Sequence, residues 1–514
     1  MKIWDLYDRN ENLTGEDKKR SELKSIPDIC IFLLAMLEIA FECVVPRYFT
    51  INIGSGSTVA ATLNAIILLA LGLGFYLGNL KSPCETSSRN FSRLLLIGAV
   101  SVALVPVIEV FFFRFVTRFF FKYNLLISIF GALLLAAPSC FLFGFIVAKL
   151  IFQELDQHSI NQFKNFGKII LLIAIGRIFG SLTTGFFLLP TLGTKISNLV
   201  IALILLLMSF IFGNFSKTRF YLVVMSIILL SFDGGRFLFH SWNPAVYADF
   251  DSEYARMQLV QFFVNEQGKT QQVTGIKSDS GTESFAGTHD REFIAPYNYY
   301  YDLPKYYFKN YARCLLIGGA GYTYPTYFYD QSENLNMKMD VVEIDPKMTE
   351  VAKKYFGLKS TLEKIRERNS LKIFHEDGRY YLNRCESSQY DAILLDAFKG
   401  KDILQHLITS QAVREMHRVL KTNGVVIVNV ISALNGKDSE LAERAFAAFR
   451  NCFDEVKIFK VNQRIPKNIS QNLMIVAIKG KIDPDLSRQE SMQAMLSSEV
   501  EFQTQSNPID DEFI

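Results

Sequence analysis

The sequence predicts two regions of different fold: a polytopic α-helical membrane bundle, then a Rossmann-like α/β domain preceded by a small β-sheet. Hydrophobic residues make up 50% of the chain and charged residues only 20%, which is too apolar for an ordinary soluble protein. Nearly all the apolar excess lies before residue 240, whereas short apolar strands alternate with helical segments after residue 312. The predicted boundaries are a charged tail over 1–25, the bundle over 26–240, an antiparallel β subdomain over 250–305, the Rossmann-like domain over 306–482 and a disordered tail over 483–514.

Seven apolar stretches predict the membrane bundle. Most reach the roughly 20 residues that a helix needs to cross about 30 Å of hydrocarbon. The first follows a charged tail and precedes six others, so we expect a membrane span there rather than a cleaved signal peptide. Asp233 interrupts the last stretch early, so we expect six or seven spans. The stretches are 26–46, 57–80, 93–113, 123–148, 168–190, 196–214 and 219–236.

The distribution of Lys and Arg predicts the orientation of the bundle. These residues are more numerous in the loops on the N-terminal side, which places the N-terminus in the cytoplasm. Seven complete spans would put the C-terminal domain outside the cell, but the ligand inferred below is a cytosolic metabolite. We therefore expect a multi-pass cell-membrane protein whose C-terminal domain is cytoplasmic.

Four ionisable residues fall inside the apolar stretches, where charge is costly and each residue is a candidate functional site. Glu38 and Glu42 lie four apart in the first helix and share one face. Glu109 lies in the third stretch and Arg177 in the fifth. One interpretation is an acidic cavity that accepts a cation. The interpretation we favour is that Arg177 neutralises one glutamate while the others lie near the membrane interface.

Two glycine-rich segments in the bundle, Leu71–Gly74 and Gly176–Gly180, have the small residues that allow helices to approach closely. We predict that they pack helices rather than bind a ligand.

Composition excludes several functions. The net charge of +3 argues against a strongly basic nucleic-acid binder. The seven cysteines form no Cys-x-x-Cys pair, and no His stands at zinc-ligand spacing. We therefore expect neither a disulfide framework nor a structural metal.

Five short apolar runs after residue 312 predict the strands of a parallel sheet, because helical segments separate them. In such a sheet the ligand lies at the carboxyl ends of the strands, so the chemistry is expected directly after each run. The runs are 314–317, 339–342, 371–374, 392–395 and 425–428, and the helical segments are 346–357, 377–385, 408–421 and 437–452.

The first two strands end in residues suited to a nucleoside. Gly318, Gly319 and Gly321 follow the first strand, where small residues let the backbone approach a ligand closely. Glu343 and Asp345 follow the second strand, where a carboxylate accepts hydrogen bonds from ribose hydroxyls.

The next two strands add acidic residues at the same edge. Asp377 and Gly378 follow the third strand, an acid and a turn suited to the adenine amino group, and Asp396 ends the fourth. The glycines lack the Gly-x-Gly-x-x-Gly form, and no Walker motif occurs, so NAD and ATP are poor candidates. Without a basic run for phosphate, the pattern favours S-adenosylmethionine or a relative.

These motifs resemble those of the spermidine synthases, and more closely the membrane-fused spermidine synthase-like proteins. The resemblance implies a class I methyltransferase/spermidine synthase-like fold, and decarboxylated S-adenosylmethionine or S-adenosylmethionine as co-substrate. It also implies that Glu343 holds the ribose, that Asp377 and Gly378 hold the adenine, and that Asp396 deprotonates an attacking amine. The matching segments are Ser252–Tyr254, Leu316–Gly319, Val342–Asp345, Glu376–Gly378, Tyr390–Asp396 and Leu420–Gly424.

Departures from the family pattern concern the second substrate. Gly321 and Tyr322 stand where the family has an acceptor-binding Asp, Lys399 replaces a second Asp, and Ala255 replaces a Gln. A diamine needs paired negative charge, which makes putrescine a doubtful acceptor. Tyrosines that either wall an acceptor pocket or pack against the bundle are Tyr297, Tyr299, Tyr300, Tyr301, Tyr322 and Tyr324.

The sequence thus predicts a membrane-bound, aminopropyltransferase-like enzyme of polyamine type with an altered acceptor site. Its partners would be the lipid bilayer and a small-molecule amine or other nucleophile, without nucleic acid, and homo-oligomerisation stays open. One alternative is an S-adenosylmethionine-dependent methyltransferase. The other is a transporter or receptor with a nucleoside-sensing domain, in which Asp396 is structural.

Overall fold

The computed structural model divides the chain into two compact units, Met1–Met257 and Gln258–Ile514. The structure describes residues 17–54, 56–80, 88–120, 124–156, 162–213, 220, 224–225, 245–266, 269–278, 281–287, 294–307, 312–399, 402–403, 405–481, 493, 495–504 and 506–511.

The first unit is a bundle of apolar helices. Four of its described helical runs are long and apolar enough to cross a membrane, and a fifth crossing results if the bent pair 125–135 and 137–152 forms one span. The helices are α1 (Asp17–Ile53), α2 (Ser57–Leu80), α3 (Ser88–Phe120), α4 (Asn124–Leu135), α5 (Ala137–Asp156), α6 (Gln162–Thr183), a π-helical turn (Thr184–Leu188) and α7 (Leu189–Phe212).

Three of the seven predicted stretches differ from separate straight helices. The fourth is the bent pair α4 and α5, whose axes differ by 45°. The fifth and sixth form one helical run, 166–212, interrupted at Gly193, where φ is 78°. A run of that length would measure about 70 Å if straight, more than twice the hydrocarbon thickness. The seventh stretch lies almost wholly outside the described residues, so the total number of spans stays a prediction.

The glycine-rich segments pack helices, as predicted. A Cβ atom placed on Gly74 would lie 2.2 Å from the Phe141 carbonyl oxygen of α5. One placed on Gly180 would lie 2.3 Å from the Met36 carbonyl oxygen of α1. Glycine is required at both positions because the facing backbone occupies the space of a side chain.

A four-stranded sheet follows the bundle in the chain, in the order β1-β2-β3-β4. Its strands β3 and β4 are antiparallel, and their register places Gly275 opposite Phe285. The predicted small antiparallel sheet is therefore present, although it begins earlier than residue 250. The strands are β1 (Val246–Asp251), β2 (Arg256–Glu266), β3 (Lys269–Ser278) and β4 (Gly281–Gly287).

The second unit contains a seven-stranded sheet in the order β12-β13-β11-β8-β5-β6-β7. All five predicted strands are present and parallel, and β13 adds antiparallel to β11. Alternate residues of each strand enter different apolar clusters, as Leu315 and Leu316 do, so both faces of the sheet are covered. The strands are β5 (Arg313–Ile317), β6 (Lys338–Val342), β7 (Leu371–Phe374), β8 (Tyr390–Leu395), β9 (Phe398–Lys399), β10 (Asp402–Ile403), β11 (Leu420–Ser432), β12 (Glu455–Lys460) and β13 (Gln471–Ile478).

Short helices connect these strands and cover the sheet. They are α8 (Pro304–Tyr307), α9 (Thr323–Asp330), α10 (Pro346–Tyr355), α11 (Leu358–Lys364), α12 (Gly378–Arg384), α13 (Ser410–Val419) and α14 (Glu440–Arg450), with a 3₁₀ turn over Pro296–Asp302.

The C-terminal segment differs from the disordered tail predicted over 483–514. Of its described residues, 495–504 and 506–511 pack against the α/β unit. Ile509 is only 3% exposed, and Phe502 contacts Phe446 edge to face. The Val500 amide donates to the Ile458 carbonyl. The polar composition of the segment is misleading because a few apolar side chains anchor it.

Candidate nucleoside site

The ends of the first and fourth parallel strands meet at the carboxyl edge of the sheet. The Asp396 amide donates to the Ile317 carbonyl oxygen at 2.8 Å. Gly318 has a φ of 92°, and a Cβ atom there would lie 2.2 Å from the Asp396 carbonyl oxygen. A larger residue would separate the two strand ends. Gly318 is therefore needed to bring Asp396 next to the loop that follows β5, residues 318–322, called the glycine loop below.

Glu343, the predicted ribose ligand, holds the glycine loop. Its Oε2 atom accepts hydrogen bonds from the Gly319 amide at 2.8 Å and the Ala320 amide at 3.0 Å, and its Oε1 atom accepts one from the Asp345 amide. Burial raises the pKa of this carboxyl, and the three amide donors oppose the shift. Since a carboxylate offers about four acceptor positions, Glu343 keeps capacity for one ribose hydroxyl. The ribose role stays a prediction.

Tyr322 occupies the loop position at which the sequence departs from the family. It has a left-handed backbone, with φ of 52°, and a fully buried ring. The ring packs against Gly319, where a Cβ atom would lie 2.9 Å from the Tyr322 Cζ atom. The Tyr322 hydroxyl bonds to Thr349 Oγ1 at 2.7 Å. Gly321 lies against Ser284, and a Cβ atom there would be 3.2 Å from the Ser284 Oγ atom. The Tyr322 ring therefore packs beneath its own loop, and its hydroxyl is used by Thr349.

Asp345 and Asp377, two further predicted ligands, cap helices. Asp345 accepts from the Lys347 amide at the start of α10. Asp377 Oδ1 accepts from the first amides of α12, those of Arg379 and Tyr380. Its Oδ2 atom lies 3.1 Å from His406 Nε2, and this contact, with the amide donors, holds the pKa of Asp377 below its usual value. Capping positions Asp377 at the third strand tip, while its adenine role stays a prediction.

Gly378 is required for a reason the sequence does not show. A Cβ atom at Gly378 would lie 2.5 Å from the Ile317 Cγ2 atom. The first turn of α12 therefore packs directly on the end of β5. This contact brings the third strand tip next to the glycine loop.

Asp396 is the predicted catalytic residue, and its contacts differ from those of the other acids. Its Oδ1 atom accepts from Asn429 Nδ2 at 3.0 Å. Burial raises the pKa of Asp396 to about 6, although hydrogen bonds from Asn429 and from tyrosine hydroxyls lower it in part. The carboxylate therefore changes protonation near neutral pH, which suits a general base.

Tyr297 and Tyr301 are the tyrosines of the predicted set that face Asp396. Their rings meet edge to face, with centroids 6.1 Å apart. The Tyr301 side chain is fully buried, and its hydroxyl faces the Asp396 carboxylate. Other tyrosines of the set have structural partners: Tyr300 bonds to Ser498, and Tyr324 to the Tyr301 carbonyl.

Two short strands, β9 and β10, follow Asp396 in the chain. Strands β9 and β10 pair antiparallel, and Lys399 stands opposite Asp402. The position of the family's second Asp therefore lies in a paired strand.

Sequence reasoning missed Asn429 and Asn472. Asn472 Nδ2 donates to Asn429 Oδ1 at 2.9 Å, so the two amides form a chain that ends at Asp396. Asn429 lies 33 residues after Asp396, and Asn472 lies 43 residues after Asn429. Only the order of β8, β11 and β13 in the sheet brings the three side chains together. An Asn within an apolar strand at the same edge of the sheet was the available signal.

The intramembrane candidates fall into two groups rather than one. Arg177 bonds to Glu38 Oε2 at 2.6 Å and to Glu42 Oε2 at 2.8 Å. Arg177 therefore pairs with two glutamates rather than the one of the favoured interpretation, because the close approach of α1 and α6 puts both acids within its reach. The Glu109 Oε1 atom instead lies 3.5 Å from the Arg256 Nη1 atom. Arg256 is buried, and sequence reasoning did not single it out. Among the described residues, no group of three or more His, Cys, Asp or Glu side chains is arranged to hold a metal ion.

A parallel sheet with acids at consecutive strand tips is the arrangement of the Rossmann-like fold class. Comparison with known families is consistent with that class: residues 300–482 match the spermine/spermidine synthase domain. The predicted resemblance to spermidine synthases is confirmed for this C-terminal region.

Curated relatives match parts of the same region. The polyamine aminopropyltransferase of Vibrio vulnificus is 29% identical over 191 residues, which cover 36% of this chain and 56% of that protein. The polyamine aminopropyltransferase of Clostridium acetobutylicum is 32% identical over 90 residues, covering 18% and 31%. The chain thus spans about half the length, or less, of these relatives.

A solved structure, that of a probable spermidine synthase from Corynebacterium glutamicum, aligns with a TM-score of 0.39 and 17% identity, covering 52% of this chain and 91% of that one.

Proposed function

We propose that the chain is a membrane-bound transferase of the aminopropyltransferase type, with an S-adenosyl-type donor and an amine acceptor other than putrescine. The observation that carries the proposal is Asp396. It lies at a strand tip beside the glycine loop, and its pKa of about 6 allows it to accept a proton near neutral pH.

The donor would lie along the strand tips. The amides and glycines of the loop give the backbone access that a nucleoside needs, and Glu343 fixes this loop while keeping one acceptor position for the ribose. Asp377 stands at the adjacent tip, where its Oδ2 atom is shared with His406. Both acids would accept hydrogen bonds from uncharged donors, namely the ribose hydroxyls and the adenine amino group.

The reaction needs little beyond alignment and a base. The acceptor nitrogen attacks the carbon bonded to the sulfonium sulfur, a C–N bond forms, and the C–S bond breaks. The bonding electrons return to sulfur, and methylthioadenosine leaves when the donor is decarboxylated. Asp396 then takes the proton that the amine loses. Placement of the nitrogen about 3 to 3.5 Å from the carbon can supply much of the rate.

The acceptor site favours a singly charged or neutral amine. The inward-packed Tyr322 replaces an acid of the family pattern, and the family's second Asp is a paired Lys399. Among the described residues, a dication placed beside Asp396 would meet one carboxylate, that of Asp396, and the phenols of Tyr297 and Tyr301. The desolvation cost of its second ammonium would then lack compensation.

Product analysis tests this function. The purified full chain in detergent is incubated with decarboxylated S-adenosylmethionine or with S-adenosylmethionine, each with a panel of monoamines and diamines. Release of methylthioadenosine from the first donor supports the proposal, and release of S-adenosylhomocysteine from the second supports a methyltransferase instead.

Glu343→Ala tests the nucleoside site separately. The variant frees the loop amides, so nucleoside affinity measured by calorimetry should fall by about 100-fold. Wild-type affinity in this variant would contradict the ribose role.

A transporter or receptor is the second candidate, and one observation favours it. Glu38, Glu42 and Arg177 form a charged triad within membrane-spanning helices, where ionisable groups commonly serve transport. A chain that binds the nucleoside but releases neither product with any acceptor would support this candidate.

We also propose that the protein is a multi-pass membrane protein with a cytoplasmic C-terminal domain. Labelling of a cysteine introduced at exposed Ile469, in sealed cells and in lysed cells, tests the orientation. Labelling that requires lysis supports it, and equal labelling in intact cells contradicts it.

A further inference from the structure

Two asparagine side chains lie behind Asp396, on strands that sheet topology places beside it. In the parallel pairing of β8 with β11, Leu395 is opposite Val428, so the next residues, Asp396 and Asn429, lie side by side. The antiparallel pairing of β11 with β13 places Asn472 opposite Ile431, two residues further along β11. Asp396 at the end of β8, Asn429 on β11 and Asn472 on β13 therefore lie on three neighbouring strands of the sheet.

The amide of Asn429 has one orientation that satisfies both neighbours. Its Nδ2 atom donates to Asp396 Oδ1 at 3.0 Å, and its Oδ1 atom accepts from Asn472 Nδ2 at 2.9 Å. The flipped amide would place an oxygen against the Asp396 carboxylate and a nitrogen against the Asn472 nitrogen. The hydrogen bond from Asn472 Nδ2 thus orients the Asn429 amide so that its Nδ2 atom points to Asp396.

The main chain of Asp396 is fixed by its neighbours, so only the orientation of its side chain is left to be determined. Its amide is bonded to the Ile317 carbonyl, and its carbonyl lies against Gly318. With Oδ1 fixed by Asn429, the rotation of the carboxyl group is restricted, and Oδ2 is directed away from the asparagine. Asn429 is 1% exposed, so water does not compete for this hydrogen bond.

We propose that Asn472 and Asn429 form a positioning relay that holds the Asp396 carboxylate ionised and oriented toward the acceptor. This inference rests on the proposed function for its consequence, but not for its geometry. Neither asparagine touches the reacting atoms, so both are positioning residues.

The titratable groups facing Asp396 are the phenols of Tyr297 and Tyr301 from the 3₁₀ turn, and β11 contributes the neutral Asn429. Burial raises the pKa of Tyr301 well above its ordinary value, so this phenol stays neutral across the working range. Removing the Asn429 donor therefore removes a contact that favours the charged form of Asp396. The pKa of Asp396 should rise as a result.

The test titrates Asp396 in the full chain in detergent by infrared difference spectroscopy, and the Asp396→Asn variant identifies the carboxyl band. In Asn429→Leu, a near isostere, the midpoint should rise by about one pH unit, a tenfold change in proton binding. In Asn472→Leu it should rise by less, because the Asn429 amide can still turn toward Asp396. The double variant should shift no further than Asn429→Leu alone, since the two residues act in series.

A matched control is Asn334→Leu, which removes another fully buried amide, bonded to the Phe328 carbonyl. Its midpoint should equal that of the wild type. An unchanged midpoint in Asn429→Leu, or equal and additive shifts in the two single variants, would overturn the relay. If Asn429→Leu does not fold, Asn429→Ser and Asn472→Leu give the same comparison.

The infrared titration does not depend on turnover, so the relay and the proposed function fail separately. If the midpoints shift as expected but Asp396→Asn keeps full turnover, the relay stands and the base role is wrong. If Asp396→Asn loses turnover while the Asn429→Leu midpoint stays at the wild-type value, the base role stands and the relay is wrong.

Discussion

The buried acids of the helical unit and of the α/β unit have different partners. Glu38 and Glu42 share Arg177, and Glu109 faces Arg256, so each has a permanently charged partner. Asp396 has hydrogen-bond donors that are neutral, from Asn429 and from tyrosines. An arginine compensates the charge of a buried carboxylate, whereas neutral donors do so only in part.

The difference indicates which acids are suited to chemistry. A carboxylate paired with arginine is engaged in an ion pair and contributes to the packing of charged groups. A carboxylate among neutral donors can accept and release a proton near neutral pH, as the pKa of about 6 for Asp396 indicates. Substitutions in the two units should therefore affect different properties.

The largest effect is expected for Asp396→Asn, which removes the proton acceptor but retains size and polarity. Turnover should fall by about 100- to 10,000-fold, the usual contribution of a general base. Nucleoside affinity by calorimetry should change little. Asp391→Asn is the matched control, because Asp391 lies at the other end of β8, where it accepts from the Arg313 amide. Comparable turnover in the two variants would remove Asp396 as the base.

A smaller effect, on stability alone, is expected for Arg177→Met. The change leaves Glu38 and Glu42 without their partner, and the cost should be about 2 kcal/mol, below that of a fully buried pair because the Arg177 side chain is 34% exposed. Lys168→Met is the control, since Lys168 forms an exposed pair with Asp28 between the same two helices. Thermal unfolding in detergent should show a lower Tm for Arg177→Met only.

The Arg177→Met variant should keep wild-type kcat for transfer once folded. If kcat falls as strongly as in Asp396→Asn, the division of roles between the two units is wrong, and the triad takes part in function.

An effect of about the same size is expected in the C-terminal segment. Ile509→Ala should destabilise the α/β unit by about 2 kcal/mol, because Ile509 is 3% exposed within the core cluster. Ile469→Ala, at a side chain that is 50% exposed, should leave the unfolding midpoint unchanged. Equal midpoints for the two variants would show that the segment is not anchored.

Much of the α/β unit was predictable because its signals are local. The apolar runs of β5, β6, β7, β8 and β11 are short and separated by helical segments, and the tip residues follow each run directly. The strands β12 and β13 were not predicted, since they follow the last helix without the βα alternation. Asn472 was missed with them, because its partner is decided by strand order rather than by sequence spacing.

Other features depend on contacts that no local pattern encodes. Glu343 was predicted to bind a ribose, and the structure uses three of its acceptor positions for backbone amides. The helical run 166–212 continues on both sides of the gap between the predicted stretches 168–190 and 196–214, where Pro190 and Lys195 flank Gly193. The C-terminal segment was predicted to be disordered because its anchors, such as Ile509, are few.

The pH dependence of transfer tests the role of Asp396 most directly. With saturating donor and acceptor, the rate should rise about tenfold per pH unit below the pKa of about 6 and level off above it, because only the ionised carboxylate accepts the proton. In Asp396→Asn the residual rate should lose this acid limb. An acid limb that persists unchanged in Asp396→Asn would contradict the account, since another group would then be the base.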